Sequence, residues 1–135
     1  MTSQTSQRDA ERIYELWDDA LGRNDLEASL ALYADDASIE SPLVRHLMKT
    51  KEGIVRGKDE LRRFITGVFQ TNPPQRKRFR TGFFSDDRII MWEYPRASPQ
   101  GDQMELVEVM EIRDGLIERH RVYWGWYALN VLNGR

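Results

Sequence analysis

The chain contains no cysteine, which removes disulfides, thiolate nucleophiles and cysteine-ligated metal sites together. Its two histidines, His46 and His120, stand far from ligand spacing, so no metal site is expected. No apolar run approaches the length that spans a bilayer, and residues 1–7 lack an apolar core. They read as a disordered lead-in rather than a secretory signal, with no membrane partner expected and the cytoplasm as the default location. A Gly-rich phosphate loop, a nucleophile elbow and a dinucleotide fingerprint are all missing, so no cofactor is expected and acyl-enzyme chemistry lacks support. Excess positive charge is missing too: the formal net charge is -2, and no general attraction to phosphate backbones follows. The run Arg76, Lys77, Arg78, Phe79, Arg80 is the one local basic patch with an aromatic inside it. A solvated strand face explains it more simply, and no nucleic-acid partner is expected.

What is present describes one globular domain over residues 8–135 of a 135-residue chain, long enough to bury a core without metals or crosslinks. Apolar residues at Ala10, Ile13, Leu16, Trp17, Ala20 and Leu21 follow helical spacing, so a helix is predicted over 8–21 with Gly22 closing it. Asn24 and Glu27 suggest a capping box for a short second helix carrying Leu26, Leu30 and Tyr33 inward. A short strand is predicted at 38–41, stopped by Pro42, then a long polar connection over 43–56 that is long enough to act as a lid. A third helix over 58–70 presents Leu61, Phe64, Ile65, Val68 and Phe69 and is stopped by Asn72, Pro73 and Pro74. Thereafter the period turns to alternation, and four strands are predicted at 76–85, 88–94, 104–112 and 116–126, the last two joined by a hairpin at Asp114 and Gly115. Helices followed by a meander amount to an α+β fold.

The segment LYADDASIESP at 32–42, preceded by NDL at 24–26 and followed by GKDEL at 57–61, resembles the nuclear transport factor 2-like superfamily, as does DGLIERHRVYW at 114–124. The likeness is to its SnoaL-like and ketosteroid isomerase-like branches and runs from about residue 8 to residue 132. It implies a cone-shaped α+β barrel, a curved antiparallel sheet with three helices enclosing an apolar pocket, and a homodimer formed through the sheet's outer face. Isomerases, cyclases, epoxide hydrolases, dehydratases and binding modules share this fold, so it does not choose a reaction. In the ketosteroid isomerase-like branch the general base is an aspartate directly before the proline; here Ser41 holds that place, with Glu40 beside it. The position of the oxyanion tyrosine falls at Trp17, whose indole N–H remains a donor, and that of the second oxyanion donor falls at Glu108. The acids that many SnoaL-like relatives carry on the last strand are replaced by Val122 and Gly125.

Alternation puts Glu108 on one strand face with Leu106, Met110 and Ile112. Were that face the concave one, desolvation would favour the protonated acid, which then donates to a ligand oxygen. A structural carboxylate paired with an arginine is the plainer alternative. His120 shares its face with Val122 and Trp124, and the hairpin brings its strand beside that of Glu108, which makes a Glu108 and His120 acid–base pair the candidate catalytic constellation. Trp17, Phe64, Trp92 and Trp124, with Glu40, Ser41 and Val122, are the candidate ligand contacts, although aromatics at such spacing are more often core. Two functions stay open: cofactor-free acid–base catalysis of an isomerase, cyclase or hydratase kind on an apolar carbonyl or hydroxyl compound, and a module that binds a ligand or a protein without catalysis.

Overall fold

The computed structural model describes residues 3–71, 79–95 and 106–132. Helix α1 (Ser3–Gly22) begins before the predicted residue 8 and buries Ala10, Ile13, Tyr14, Trp17 and Ala20 along one stripe. Leu16, expected on that stripe, is 45% exposed, because the apolar arc turns past it toward Tyr14. Asn24 does not cap the second helix. It adopts a left-handed conformation with φ 53°, and Asp25 caps α2 (Leu26–Leu30) by accepting from the Ala28 N–H at 3.0 Å. Glu27, freed from a capping box, pairs with Arg62 across to helix α4.

Strand β1 (Tyr33–Glu40) starts five positions earlier than the alternation at 38–41 suggested, since the two acids Asp35 and Asp36 interrupt the pattern on its exposed edge. The connection over 43–56 is not a plain loop. Ser41 caps helix α3 (Pro42–Met48), Pro42 occupies the first helical turn where its missing N–H costs nothing, and Lys49 ends the helix at φ 57°. Strand β2 (Ile54–Arg56) then pairs with β1 and leads into α4 (Gly57–Thr71), whose Leu61, Phe64 and Ile65 are buried.

The meander follows as β3 (Phe84–Ser85), β4 (Ile89–Tyr94), β5 (Leu106–Arg113) and β6 (Leu116–Trp124). Asp114 and Gly115 turn β5 into β6 with φ of 54° and 78°, the pair of positive values that a two-residue hairpin demands. The last strand stops at Trp124, and a 3-10 turn (Trp126–Ala128) and helix α5 (Leu129–Leu132) replace its expected end. The predicted helix stop at residues 72–74, the first part of the strand at 76–85, residues 104 and 105 and the first two residues of the lead-in lie outside the described residues.

The six strands form one curved, unclosed sheet in the order β2-β1-β6-β5-β4-β3. It is mixed rather than wholly antiparallel: β1 runs parallel to β6, an arrangement that alternation within single strands does not reveal. The register aligns Ile90, Met110 and His120 on one rung, Trp92, Glu108 and Val122 on the next, and Tyr94, Leu106 and Trp124 on the third. All nine therefore share one face, and the core formed by α1, β1 and α4 covers most of it. Among the described residues no helix is long and apolar enough to cross a membrane.

Candidate functional site

Among the described residues, only four polar or charged side chains are buried: Ser29, Ser41, Glu108 and His120. Glu108 and His120 retain 5% and 4% of their exposure and meet at 2.6 Å between Oε1 and Nε2. They are diagonal neighbours on adjoining rungs of β5 and β6, a separation that two long side chains bridge easily. No arginine or lysine pairs with Glu108 among the described residues; its partner is the imidazole. Arginines cluster instead on the other face, where Glu111 pairs with Arg88, Arg119 and Arg121.

The other imidazole nitrogen, Nδ1, lies 2.8 Å from the Tyr33 hydroxyl, and the Trp17 indole N–H donates to that same hydroxyl oxygen at 3.2 Å. Tyr33 pairs with Ile117 at the start of β1, and the register of β1 against β6 shifts between Tyr33 and Ser38. Four buried side chains thus form one continuous chain: Trp17, Tyr33, His120, Glu108.

Donor supply sets the polarity of this chain. An indole nitrogen only donates, so Tyr33 accepts from Trp17 and has one proton of its own to place. Its remaining neighbour is Nδ1, which must then accept. The donor count consequently assigns the imidazole the tautomer with its proton on Nε2, and that N–H points at Glu108 Oε1, which accepts it. A protonated imidazole would bring a second donor to Tyr33 and strand the phenol proton in the core. Burial pushes the Tyr33 phenol far above its ordinary range; the Trp17 hydrogen bond opposes that rise and the charge of Glu108 adds to it.

The expected ligand contacts separate into two groups. Trp92, Val122 and Trp124 lie on the face of Glu108 and His120, Trp92 and Val122 on the same rung as Glu108 itself. Trp17 packs between Trp92 and His120, with ring centroids 5.4 Å and 5.8 Å away. Its indole N–H is committed to Tyr33, so it is not the free polar anchor that the sequence suggested. Phe64 is buried in the core from α4. Glu40 is exposed at the end of β1, while Ser41 is buried with its hydroxyl accepting from the Leu43 N–H at 3.1 Å; neither joins the chain of four. Ser41, directly before Pro42, is the cap of α3.

Tyr33 is the member that sequence reasoning missed. Helical spacing from Leu26 and Leu30 drew it into α2, and only the parallel pairing of β1 with β6 reveals its neighbour. Arg80, from the basic run, is tied to α1: its guanidinium lies 3.7 Å over the Tyr14 ring, donates to the Tyr14 carbonyl at 2.9 Å and pairs with Asp18 at 3.4 Å. Arg76, Lys77 and Arg78 lie outside the described residues.

The SnoaL-like domain family matches residues 10–120 of the chain. In three dimensions the chain is similar to a SnoaL-like protein of unknown function from Burkholderia thailandensis, with a TM-score of 0.74, 20% identity and coverage of 88% of this chain and 96% of that one. It is similar also to a putative ketosteroid isomerase from Kribbella flavida, with a TM-score of 0.62, 19% identity and coverage of 87% and 78%. TerC, co-crystallised with polyporic acid, superposes with a TM-score of 0.70 at 16% identity over 94% of this chain and 99% of its own. No curated protein matches the chain in sequence.

Proposed function

We propose that this chain, which belongs to the SnoaL-like domain family, binds an apolar small molecule bearing a carbonyl or hydroxyl group against the inner sheet face and moves a proton within it without a cofactor. The observation that carries this reading is the buried hydrogen-bonded chain of Trp17, Tyr33, His120 and Glu108, which ends on a carboxyl group. Glu108 acts as general base: an ionised carboxylate accepts a proton from a carbon or hydroxyl of the ligand and returns it at a second position. This reverses the expected role of Glu108 as the resident proton donor. His120 is the positioning residue, its Nε2–H holding the carboxylate in place and stabilising its charge, and Tyr33 and Trp17 hold the tautomer. Val122 and Trp124 complete the apolar wall.

The non-catalytic reading has a specific observation in its favour, since Ser41 occupies the place of the branch's usual base and spends its hydroxyl on a helix cap. Deuterium uptake separates the two. The purified protein is incubated in D2O with a panel of apolar aryl ketones, and exchange of their α-protons is followed by NMR. The expected result is exchange that Glu108→Gln abolishes with the fold retained, because the glutamine oxygen still accepts from His120. Saturable binding with no exchange above background would establish a binding module instead.

A homodimer through the outer sheet face and a cytoplasmic location belong to the same reading. Exposed Met91 and Tyr123 beside Val107 and Val109 supply the apolar surface for such a dimer.

A further inference from the structure

Most arginines of the fold are matched to acids: Arg23 to Asp19 and Asp25, Arg62 to Glu27, Arg80 to Asp18, Arg113 to Asp36 and Glu118. Arg45, Lys49 and Lys51 are not. All three are exposed, and none has a side-chain ion pair or hydrogen bond among the described residues. They gather on the last turn of α3 and the bend after it, where the Arg45 stem lies along Gly53 so closely that a Cβ there would stand 3.6 Å from its Cγ. The acid next to them in the chain, Glu52, is turned to Arg56. Their place in the fold gives the cluster a meaning. Strands β1 and β6 run parallel and their last paired residues are Glu40 and Arg121, so α3, which follows β1 directly, lies against the end of β6 that carries Val122 and Trp124. It stands on the helix side of the sheet, with Val44 buried in the core and Leu47 facing Gly67 of α4. Exposure of the inner face rises in the same direction: Ile90, Met110 and His120 are buried together on one rung, whereas Val122, Leu106 and Trp124 on the next two are partly exposed. The inner face therefore opens where α3 stands, and the three unmatched cations rim that opening.

We infer that the ligand is amphiphilic, with an anionic oxygen group such as a carboxylate or sulfonate that Arg45, Lys49 and Lys51 receive at this opening while its apolar body lies on Val122 and Trp124. The inference rests on the ligand-binding reading above and adds a charged end to the class of compound named there. The charged end stays at the rim because burial would strip it of water, whereas the apolar body gains by leaving water. An ionised Glu108 enforces the same orientation, since it repels a second anion. The chain as a whole carries a net charge of -2, so a preference for an anion has to come from these local cations and not from the overall field.

Anilinonaphthalene sulfonate and the corresponding phenylnaphthylamine share one apolar skeleton and differ by the sulfonate, and both fluoresce when an apolar surface takes them up. The full chain is titrated with each at low and at high salt. The expected result is that the sulfonate binds about tenfold more tightly at low salt, through three exposed charge contacts, and that high salt erases most of this advantage. Combining Arg45→Gln, Lys49→Gln and Lys51→Gln removes the advantage and leaves the affinity for the neutral compound unchanged. Trp124→Ala weakens both compounds alike, because it takes away part of the apolar wall. Equal affinity of the two compounds for the wild type overturns the inference. So does an advantage that survives in the triple variant, or uptake that Trp124→Ala leaves untouched. In the first two cases binding of the neutral compound keeps the ligand-binding reading standing. Should the triple variant not fold, the single substitutions replace it, each expected to lose part of the advantage, and no loss in any of them is equally decisive against the inference. If neither compound binds, both readings fall.

Discussion

Tyr33→Phe removes one oxygen and thereby breaks the buried chain at its centre. Two hydrogen bonds go with it, the 3.2 Å bond from Trp17 and the 2.8 Å bond to His120 Nδ1. The ring itself keeps its packing, since Tyr33 is 2% exposed and the substitution adds no atom. What remains is a stranded indole donor and a stranded imidazole acceptor, each costing about 1–3 kcal/mol. With the hydroxyl's own desolvation recovered, the net loss is about 2–4 kcal/mol. Unfolding entropy of about 2.1 cal/mol/K per residue over 135 residues makes that a fall in Tm of about 7–14 °C. Urea titration at neutral pH measures the loss directly, and imidazole 15N shifts report the tautomer, which should place the proton on Nε2 in the wild type. The alkaline limb gives a second reading with a defined sign. Because burial raises the phenol's folded value above its unfolded 10.0, the folded state holds the proton more tightly. That contribution is complete below pH 10 and fades as pH rises beyond it, so wild-type stability falls more steeply there than that of Tyr33→Phe. A loss below about 0.5 kcal/mol, or a wild-type imidazole protonated on Nδ1, would refute the polarity assigned to the chain.

On the outer face, the hydrogen bond from Arg121 holds Glu111 below the usual carboxylate range, with burial opposing and the charges of Arg121, Arg119 and Arg88 adding to the depression. A depressed value stabilises the fold above the unfolded value of 4.5 and is lost as pH falls through the lower folded one. Glu111→Gln should therefore be less stable than wild type at neutral pH and converge with it in acid, as urea midpoints between pH 2.5 and 7 would show; a pH-independent gap would contradict this. Ser41→Ala removes the cap of α3 and should cost about 1 kcal/mol in chemical denaturation while leaving α-proton exchange unchanged. Lost exchange with an intact fold would return Ser41 to the site.

Periodicity located what depends on neighbours along the chain. The stripe of α1, the face of α4 and the hairpin at Asp114 and Gly115 follow from side-chain spacing and from the positive φ values that the turn requires. Through that hairpin the meeting of Glu108 and His120 was legible too, because two residues of loop set the register of β5 on β6. The parallel contact of β1 with β6 was not, since partners so distant in sequence leave no local pattern. Tyr33 was lost for that reason, and with it the donor that decides which nitrogen of His120 carries the proton. Helix α3 was hidden because a seven-residue helix holding one buried side chain, Val44, offers too few turns to display a stripe.

These same features decide where any base must stand. Glu40 faces outward and Ser41 is occupied in capping α3, so the end of β1 supplies no carboxylate to the inner face. The last strand offers none either, since its one acid, Glu118, pairs with Arg113. Glu108 is the one buried acid among the described residues, and it comes from β5, in the middle of the sheet.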